Sequence, residues 1–318
     1  MTLLYADPIF EQHKTGLHPE TPKRLASILV NAEFQKAALR CTKGVFDPLP
    51  ADQVTTIHSP EVVERVRRLC EHGGGRLEVD TVCSRESFDI ALAAAGAACS
   101  AVDAVIGGPQ HRAFCLIRPP GHHATRTESM GFCLFNNIAL AAEHAKRRHG
   151  LTRILIVDWD VHHGNGTQDV FYADPCVFFL SSHRYPFYPG SGKKDETGTG
   201  AGLGHTLNVP LPFGISRANF HAAFSSTLAM AADKIRPELV LVSAGFDAHR
   251  EDPVGSLSLE SEDFAEFTRR VLEVAETHAG GRLVSLLEGG YSLRFLPECV
   301  TAHLTALLGS TGESGHAH

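Results

Sequence analysis

The chain is 318 residues long, 43% hydrophobic and 20% charged, with a net charge of −7. That is an ordinary globular composition with ample core-forming material, and without a run of Lys or Arg it argues against direct nucleic-acid binding; a basic substrate suits the charge sign better. Its eight cysteines form no Cys-x-x-Cys pair, so reduced buried thiols are expected rather than a thiolate zinc site. The first residues lack the charged and apolar regions of a signal peptide, and no stretch reads as a membrane span, so a cytoplasmic location without a membrane partner is expected. Oligomeric state leaves no signature in the sequence.

With neither repeats nor a low-complexity linker, residues 1–318 read as one domain, ending in a short flexible tail from about residue 309 that includes His316 and His318. The elements follow in chain order. An Ala-rich helix is predicted over Phe88–Ile106, a strand over Ala113–Ile117, a helix over Asn136–Arg148, and strands over Arg153–Val157 and Val177–Leu180. A helix over Arg217–Ile235, a strand over Glu238–Ser243, a helix over Ser261–Ala279, a strand over Arg282–Leu287 and a helix over Leu296–Leu308 complete the pattern. The strands are near-continuous apolar runs, as expected when both faces are covered, and the alternation implies an α/β fold with a parallel sheet between helices.

Each predicted strand runs into a polar or Gly-rich cluster: Arg118-Pro119-Pro120-Gly121-His122-His123, Asp158-Trp159-Asp160-Val161-His162-His163-Gly164-Asn165, Ser181-Ser182-His183, Ala244-Gly245-Phe246-Asp247 and Glu288-Gly289-Gly290-Tyr291. In a parallel sheet these clusters emerge on one edge, where open α/β sheets place their sites. Asp158, Asp160 and His162 alternate and so share a face in extended chain. An isolated Asp-x-Asp is more often a cap or a loop. With His162 and His163 adjacent and Asp247 on another strand, two carboxylates and one imidazole instead suggest a metal site with an open position; zinc suits it, and iron or cobalt could also bind.

His122 and His123 follow a stiff Pro-Pro-Gly approach and read as ligands, a general-base pair or loop filler. Asp158 can orient one ring and Asn165 the other; a carboxylate favours an imidazolium, whereas an amide leaves a neutral base. Tyr291, after two glycines, is either a core tyrosine or a phenol aimed at a developing oxyanion. Phe132 and Tyr188 sit on Gly/Pro-bounded loops, where such residues often merely pack, but facing each other they would form a slot for an unbranched methylene chain.

These segments, with Gly131-Phe132-Cys133-Leu134-Phe135-Asn136-Asn137 and His18-Pro19-Glu20-x-Pro22-x-Arg24, resemble the histone deacetylase superfamily over nearly the whole chain and in its order. Asn165 and the Trp159 context resemble the class II branch, the group of histone deacetylase-like amidohydrolases and acetylpolyamine amidohydrolases. The resemblance implies the arginase/deacetylase fold with an eight-stranded parallel sheet. It implies one catalytic zinc on Asp160, His162 and Asp247, His123 as general base and acid, His122 as its electrostatic partner, and Tyr291 polarising the amide carbonyl. Asp158 and Asn165 would support the histidines, and Gly131, Phe132, Tyr188, Val254 and Gly289 would line the substrate tunnel. One or two potassium or sodium ions are also implied, the first at Asp158, Asp160 and His162 with backbone oxygens near Ser181 and Ser182, the second near Phe171, Asp174 and Val177.

The expected activity is zinc-dependent deacetylation of an acetylated primary amine, foremost acetyl-lysine in proteins, with acetylpolyamine hydrolysis as the alternative. Polyamine-specific relatives carry Glu after Asp-Pro where Val254 stands here, whereas Tyr188 occurs in some polyamine-cleaving and bacterial relatives, so the two clues oppose each other. The residue that grips the substrate backbone is expected within Asp80–Ser87. An arginase-type reading lacks a second Asp after Asp247-Ala248, and a non-catalytic acyl-lysine binder would be expected to have lost Tyr291.

Overall fold

Apolar runs that read as strands fold with both faces covered: Ile154–Asp158, Leu239–Ala244 and Leu283–Leu287 are buried at every residue. The computed structural model describes residues 2–309. Its strands are β1 (Thr2–Tyr5), β2 (Thr42–Lys43), β3 (Gly74–Arg76), β4 (Val82–Ser84), β5 (Arg112–Cys115), β6 (Ile154–Asp158), β7 (Val177–Arg184), β8 (Thr206–Leu211), β9 (Leu239–Ala244) and β10 (Leu283–Leu287). Eight form one sheet in the order β2-β1-β5-β10-β9-β6-β7-β8, parallel at every ladder, while β3 and β4 form a separate antiparallel hairpin. The four central strands β5, β10, β9 and β6 end beside one another, and their loops carry the His122-His123, Tyr291, Asp247 and Asp158–His162 clusters.

All five predicted strands and five predicted helices are present, with boundaries shifted by a few residues. Local chemistry sets several ends. The Asn136 side chain accepts from Ala139 N at 3.0 Å to cap the helix Asn137–His149, which Gly150 ends in a left-handed conformation. Glu260 and Asp263 close a reciprocal capping box on Ser261–His278. The sheet also holds strands that periodicity did not mark. β8 contains Asn208 and Pro210, and lies at the edge, where a proline is tolerated. The expected tail lies, apart from Gly309, outside the described residues.

One expectation is corrected. The 21-residue helix Ser87–Gly107 is long and apolar enough to cross a membrane. The sequence predicts the helix itself over Phe88–Ile106, but Gly96, Ser100 and Asp103 interrupt its alanine-rich run, which keeps it from reading as an apolar stretch of spanning length. Most of it is buried, against β5, β10 and the helix Asn137–His149, so its apolarity serves the core.

A buried ionic cluster ties the N-terminal segment to the central strands. Glu20 Oε2 accepts from Arg118 Nη2 at 2.6 Å, Glu20 Oε1 accepts from Arg118 Nε and from Arg24 Nη1 at 3.1 Å, and all three side chains are fully buried. Arg24 also donates through Nε to Gly290 O at 2.6 Å and through Nη2 to Glu288 O. Burial pushes the Glu20 carboxyl up, but the Arg118 guanidinium outweighs it and holds the pKa at about 2. A carboxyl depressed in this way stabilises the fold above its unfolded pKa near 4.5, and that contribution is lost as pH falls towards 2. Glu20→Gln should therefore cost about 3–5 kcal/mol at pH 7, and the gap from wild type should narrow below pH 4.5, as measured by urea unfolding across pH.

Candidate active site

β6 ends at Asp158 and the chain then bends through Asp160–His162, where Asp158 Oδ1 accepts from Asp160 N at 3.0 Å and Asp160 Oδ1 from His162 N at 2.9 Å. Asp158, Asp160 and His162 face the carboxyl edge, while Trp159 turns into an aromatic core against Phe224, Phe267 and His303. Asp247, after β9, meets the same point. His162 Nδ1 stands 3.0 Å from Asp160 Oδ1 and 3.0 Å from Asp247 Oδ2, with all three residues buried. The other carboxylate oxygens are held by backbone amides: Asp160 Oδ2 accepts from Gly289 N at 2.8 Å and Asp247 Oδ1 from Val161 N at 2.8 Å. Asp247 Oδ2 is buried and makes no hydrogen bond. Burial and the Asp160 carboxylate push the Asp247 carboxyl up. Two carboxylates and an imidazole whose ligand atoms lie within 4.8 Å of one another form a donor set that a divalent cation fits. A Cβ at Gly289 would collide with both the Asp247 and Asp160 carboxylates, so only glycine lets the β10 loop pass so closely.

The two histidines after β5 have different partners. His122 Nδ1 donates to Asp158 Oδ2 at 2.9 Å, and His123 Nδ1 donates to Asn165 Oδ1 at 2.7 Å. Burial lowers His122, but Asp158 and Asp160 outweigh it and raise its pKa to about 10. Burial, then the nearby His122 and His162 rings, hold His123 well below the usual imidazole range. Glu288 fixes this loop, its Oε2 accepting from Gly121 N at 2.7 Å and His122 N at 3.2 Å. Gly131, in a left-handed conformation at φ +56°, lies against His123, where any Cβ would overlap the ring.

Tyr291 is buried, and burial pushes its phenol well above 10, so it is neutral. The Arg24 guanidinium lies 4.8 Å from its ring centroid. Asp252 holds its backbone: Oδ2 accepts from Tyr291 N at 2.6 Å and Ser292 N at 3.1 Å, while Oδ1 accepts from Val254 N at 2.9 Å and Gly255 N at 3.0 Å. One carboxylate thus orders both the phenol loop and the loop carrying half-buried Val254. Phe132 packs edge-on against Tyr291 at 5.7 Å and Tyr188 edge-on against His123 at 5.2 Å, so the two aromatics flank the site. Tyr188 Oη is buried without a hydrogen-bond partner. Within Asp80–Ser87, Thr81 Oγ1 accepts from Phe132 N at 3.0 Å and Asp80 O accepts from His18 Nε2 at 2.9 Å, which puts the hairpin loop beside the aromatic wall.

Ser181 pairs in register with Asp158, and the Ser182 hydroxyl is buried without a partner. Phe171, Asp174 and Val177 lie instead at the amino end of β7, away from the histidines; the Asp174 carboxylate binds Lys146 Nζ at 2.6 Å and Cys176 N at 2.8 Å. Residue-by-residue reading assigned no role to Asp252, Glu288 or the Glu20–Arg24–Arg118 cluster. The adjacency of Asp252 to Pro253 and of Glu288 to Gly289-Gly290 was the only local signal, because their partners lie far along the chain.

Comparison with known proteins agrees with this geometry. The histone deacetylase domain model matches residues 18–307. The chain is 40% identical over 293 residues to a histone deacetylase-like amidohydrolase of Pseudomonas aeruginosa, covering 92% of this chain and 76% of that protein. It is 41% identical over 302 residues to the human polyamine deacetylase HDAC10, covering 91% of this chain and 44% of that longer protein. The crystal structure of the HDA15 HD domain superposes with a TM-score of 0.91 at 34% identity, covering 98% of this chain and 88% of the other. The chain belongs to the histone deacetylase family of deacetylases and amidohydrolases, on its class II-like side.

Proposed function

We propose that this protein is a zinc-dependent deacetylase that hydrolyses the acetamide of an acetylated primary amine on an unbranched chain, with protein acetyl-lysine as the leading substrate. The observation that carries this reading is the convergence of Asp160, His162 and Asp247 beside an amide-paired histidine and a neutral buried phenol. Those three side chains would hold the zinc, which supplies Lewis-acid polarisation of the acetyl oxygen and lowers the pKa of a water. His123, with Nδ1–H committed to Asn165, keeps a free lone pair on Nε2 and takes the proton of the attacking water. Tyr291 donates to the oxyanion of the tetrahedral intermediate. A protonated histidine then gives its proton to the departing amine, while His122 and Asp158 hold a compensating charge pair beneath. Phe132 and Tyr188 would exclude branched chains, while Gly131 and Gly289 let their loops close onto His123 and the Asp160–Asp247 carboxylates beside the channel.

A potassium or sodium ion would sit beside Asp158, Asp160 and His162 with backbone oxygens at Ser181 and Ser182, and a second such ion would fall near Phe171, Asp174 and Val177. A two-metal arginase-like reading finds no support at His249, whose ring stacks on Phe295 at 4.7 Å and faces Glu260. Acetylpolyamine hydrolysis is the second reading. Tyr188 and a relative named polyamine deacetylase favour it, and the apolar Val254 opposes it.

Zinc-loaded protein should release free amine from acetyl-lysine peptides, and Tyr291→Phe should reduce turnover about 100- to 1,000-fold with zinc retained. Release from acetylpolyamines alone would move the substrate to the second reading, and release from neither would sink the deacetylase assignment. Asn165→Asp should make His123 more basic and shift the acid limb of the pH–rate profile about 1–3 units upward; an unmoved limb would remove His123 as the base. Asp252→Ala should lower kcat by about 100-fold through misplacement of Tyr291, without loss of zinc, as read by steady-state kinetics beside metal analysis.

A further inference from the structure

We propose a second divalent transition-metal site, formed by Asp103, His144 and His149 on the surface at the opposite end of the fold from the candidate active site. Asp103 projects from the helix Ser87–Gly107, and His144 and His149 from the last turns of Asn137–His149. That second helix starts beside the His123 loop, where Asn136 Nδ2 donates to Ala124 O at 3.1 Å, and it runs about 18 Å to His149. The site is therefore distinct from the Asp160–His162–Asp247 cluster.

The geometry is convergent. His144 Nε2 stands 2.7 Å and His149 Nε2 2.6 Å from the same oxygen, Asp103 Oδ1, and the three donor atoms lie within 4.8 Å of one another. Two imidazoles and one carboxylate are the donors that zinc, nickel, cobalt or ferrous iron prefer, with the remaining positions left to water. Donors on one tetrahedral zinc lie about 3.3 Å apart, as follows from bonds of about 2.0–2.1 Å. Admitting an ion therefore needs each nitrogen to part from the carboxylate by about 0.6 Å, which half-exposed Asp103 and the partly exposed rings can make at little cost. Without the ion each Nε2 donates to Asp103 Oδ1, so ligation needs each neutral ring to shift that proton to Nδ1, with no net proton released.

The electrostatics allow the ion. The triad includes the last residue of a helix, where the carbonyl ends favour a cation. Among neighbouring cations, Lys146 is neutralised by Glu143 and Asp174, and Arg147 by Glu143. His144, Arg147 and exposed Arg148 line one surface cavity of about 400 Å³, so Arg148 is the opposing charge and sets an affinity below that of a buried two-carboxylate site. In the metal-bound state the ion would bridge two helices that otherwise meet here through side-chain packing and the two Asp103 hydrogen bonds, clamping their distal ends.

The test compares the full-length protein with His149→Ala, each dialysed to equilibrium against micromolar zinc and measured for bound metal and thermal unfolding. Wild type should bind one zinc per chain more than His149→Ala, and excess zinc should raise the Tm of wild type only. Because the result is a difference between two chains with the same Asp160, His162 and Asp247, it stands whether or not the deacetylase reading does. Asp103→Asn provides the second variant if His149→Ala melts before dialysis. Equal zinc content in folded wild type and variant, with no difference in Tm response, would overturn the site and leave the triad as a hydrogen-bonded surface cluster.

Discussion

Four carboxylates, Asp158, Asp160, Asp247 and Glu288, lie essentially without solvent contact at the carboxyl edge of the sheet, and much of the surrounding structure serves to compensate them. Isolated buried carboxylates are too costly to persist. Here each has a specific answer. Asp158 faces His122; Asp160 and Asp247 converge on His162 and share backbone amides from neighbouring loops; Glu288 accepts two amides from the His122 loop. These compensations also set the positions of the candidate reacting groups, so the same contacts that make the edge foldable make it specific.

The compensation extends beyond the ligands. Glu20 and Arg118 form a buried pair whose second arginine, Arg24, reaches the carbonyls of Glu288 and Gly290 and lies against the Tyr291 ring. Asp252 grips Tyr291 from the other side through its backbone. A phenol after two glycines has wide conformational freedom in isolation. Between Arg24 and Asp252 that freedom is removed before any substrate binds, which is what preorganised oxyanion stabilisation requires.

The sheet and the strand-end clusters were legible because both obey short-range rules: continuous apolar runs for buried strands, then polar residues where each run stops. That Asp158 and Asn165 each partner one of the two histidines followed from placing those clusters on one edge; which partners which, Asp158 with His122 and Asn165 with His123, is read from the structure. The roles of Asp252 and Glu20 were illegible for the opposite reason. Each depends on partners dozens of residues away, 39 for Asp252 and Tyr291 and 98 for Glu20 and Arg118, and no local pattern distinguishes such a carboxylate from a loop or cap residue. β8 was hidden by Asn208 and Pro210, which only an edge position excuses. Asp103, His144 and His149 are likewise unremarkable in sequence, because the helix crossing that joins them is a tertiary fact.

The mouth of the site follows a different logic from its floor. The floor is built on strand ends, whereas the mouth is built from loops coupled to one another: His18 to Asp80 O, and Thr81 to the Phe132 amide. This coupled unit is acidic. Burial is the main reason that the Tyr188 phenol is pushed up, and Asp80, Glu78 and Glu128 add to it, which places three carboxylates within electrostatic reach of the aromatic wall. On the proposed reading, these carboxylates would favour a cationic chain at the opening independently of residue 254. Val254 would then lack a point contact for a distant ammonium while the acidic rim remained. On the proposed reading, discrimination between a lysine side chain and a polyamine would fall to the shape of the opening set by the hairpin and the Tyr188 loop.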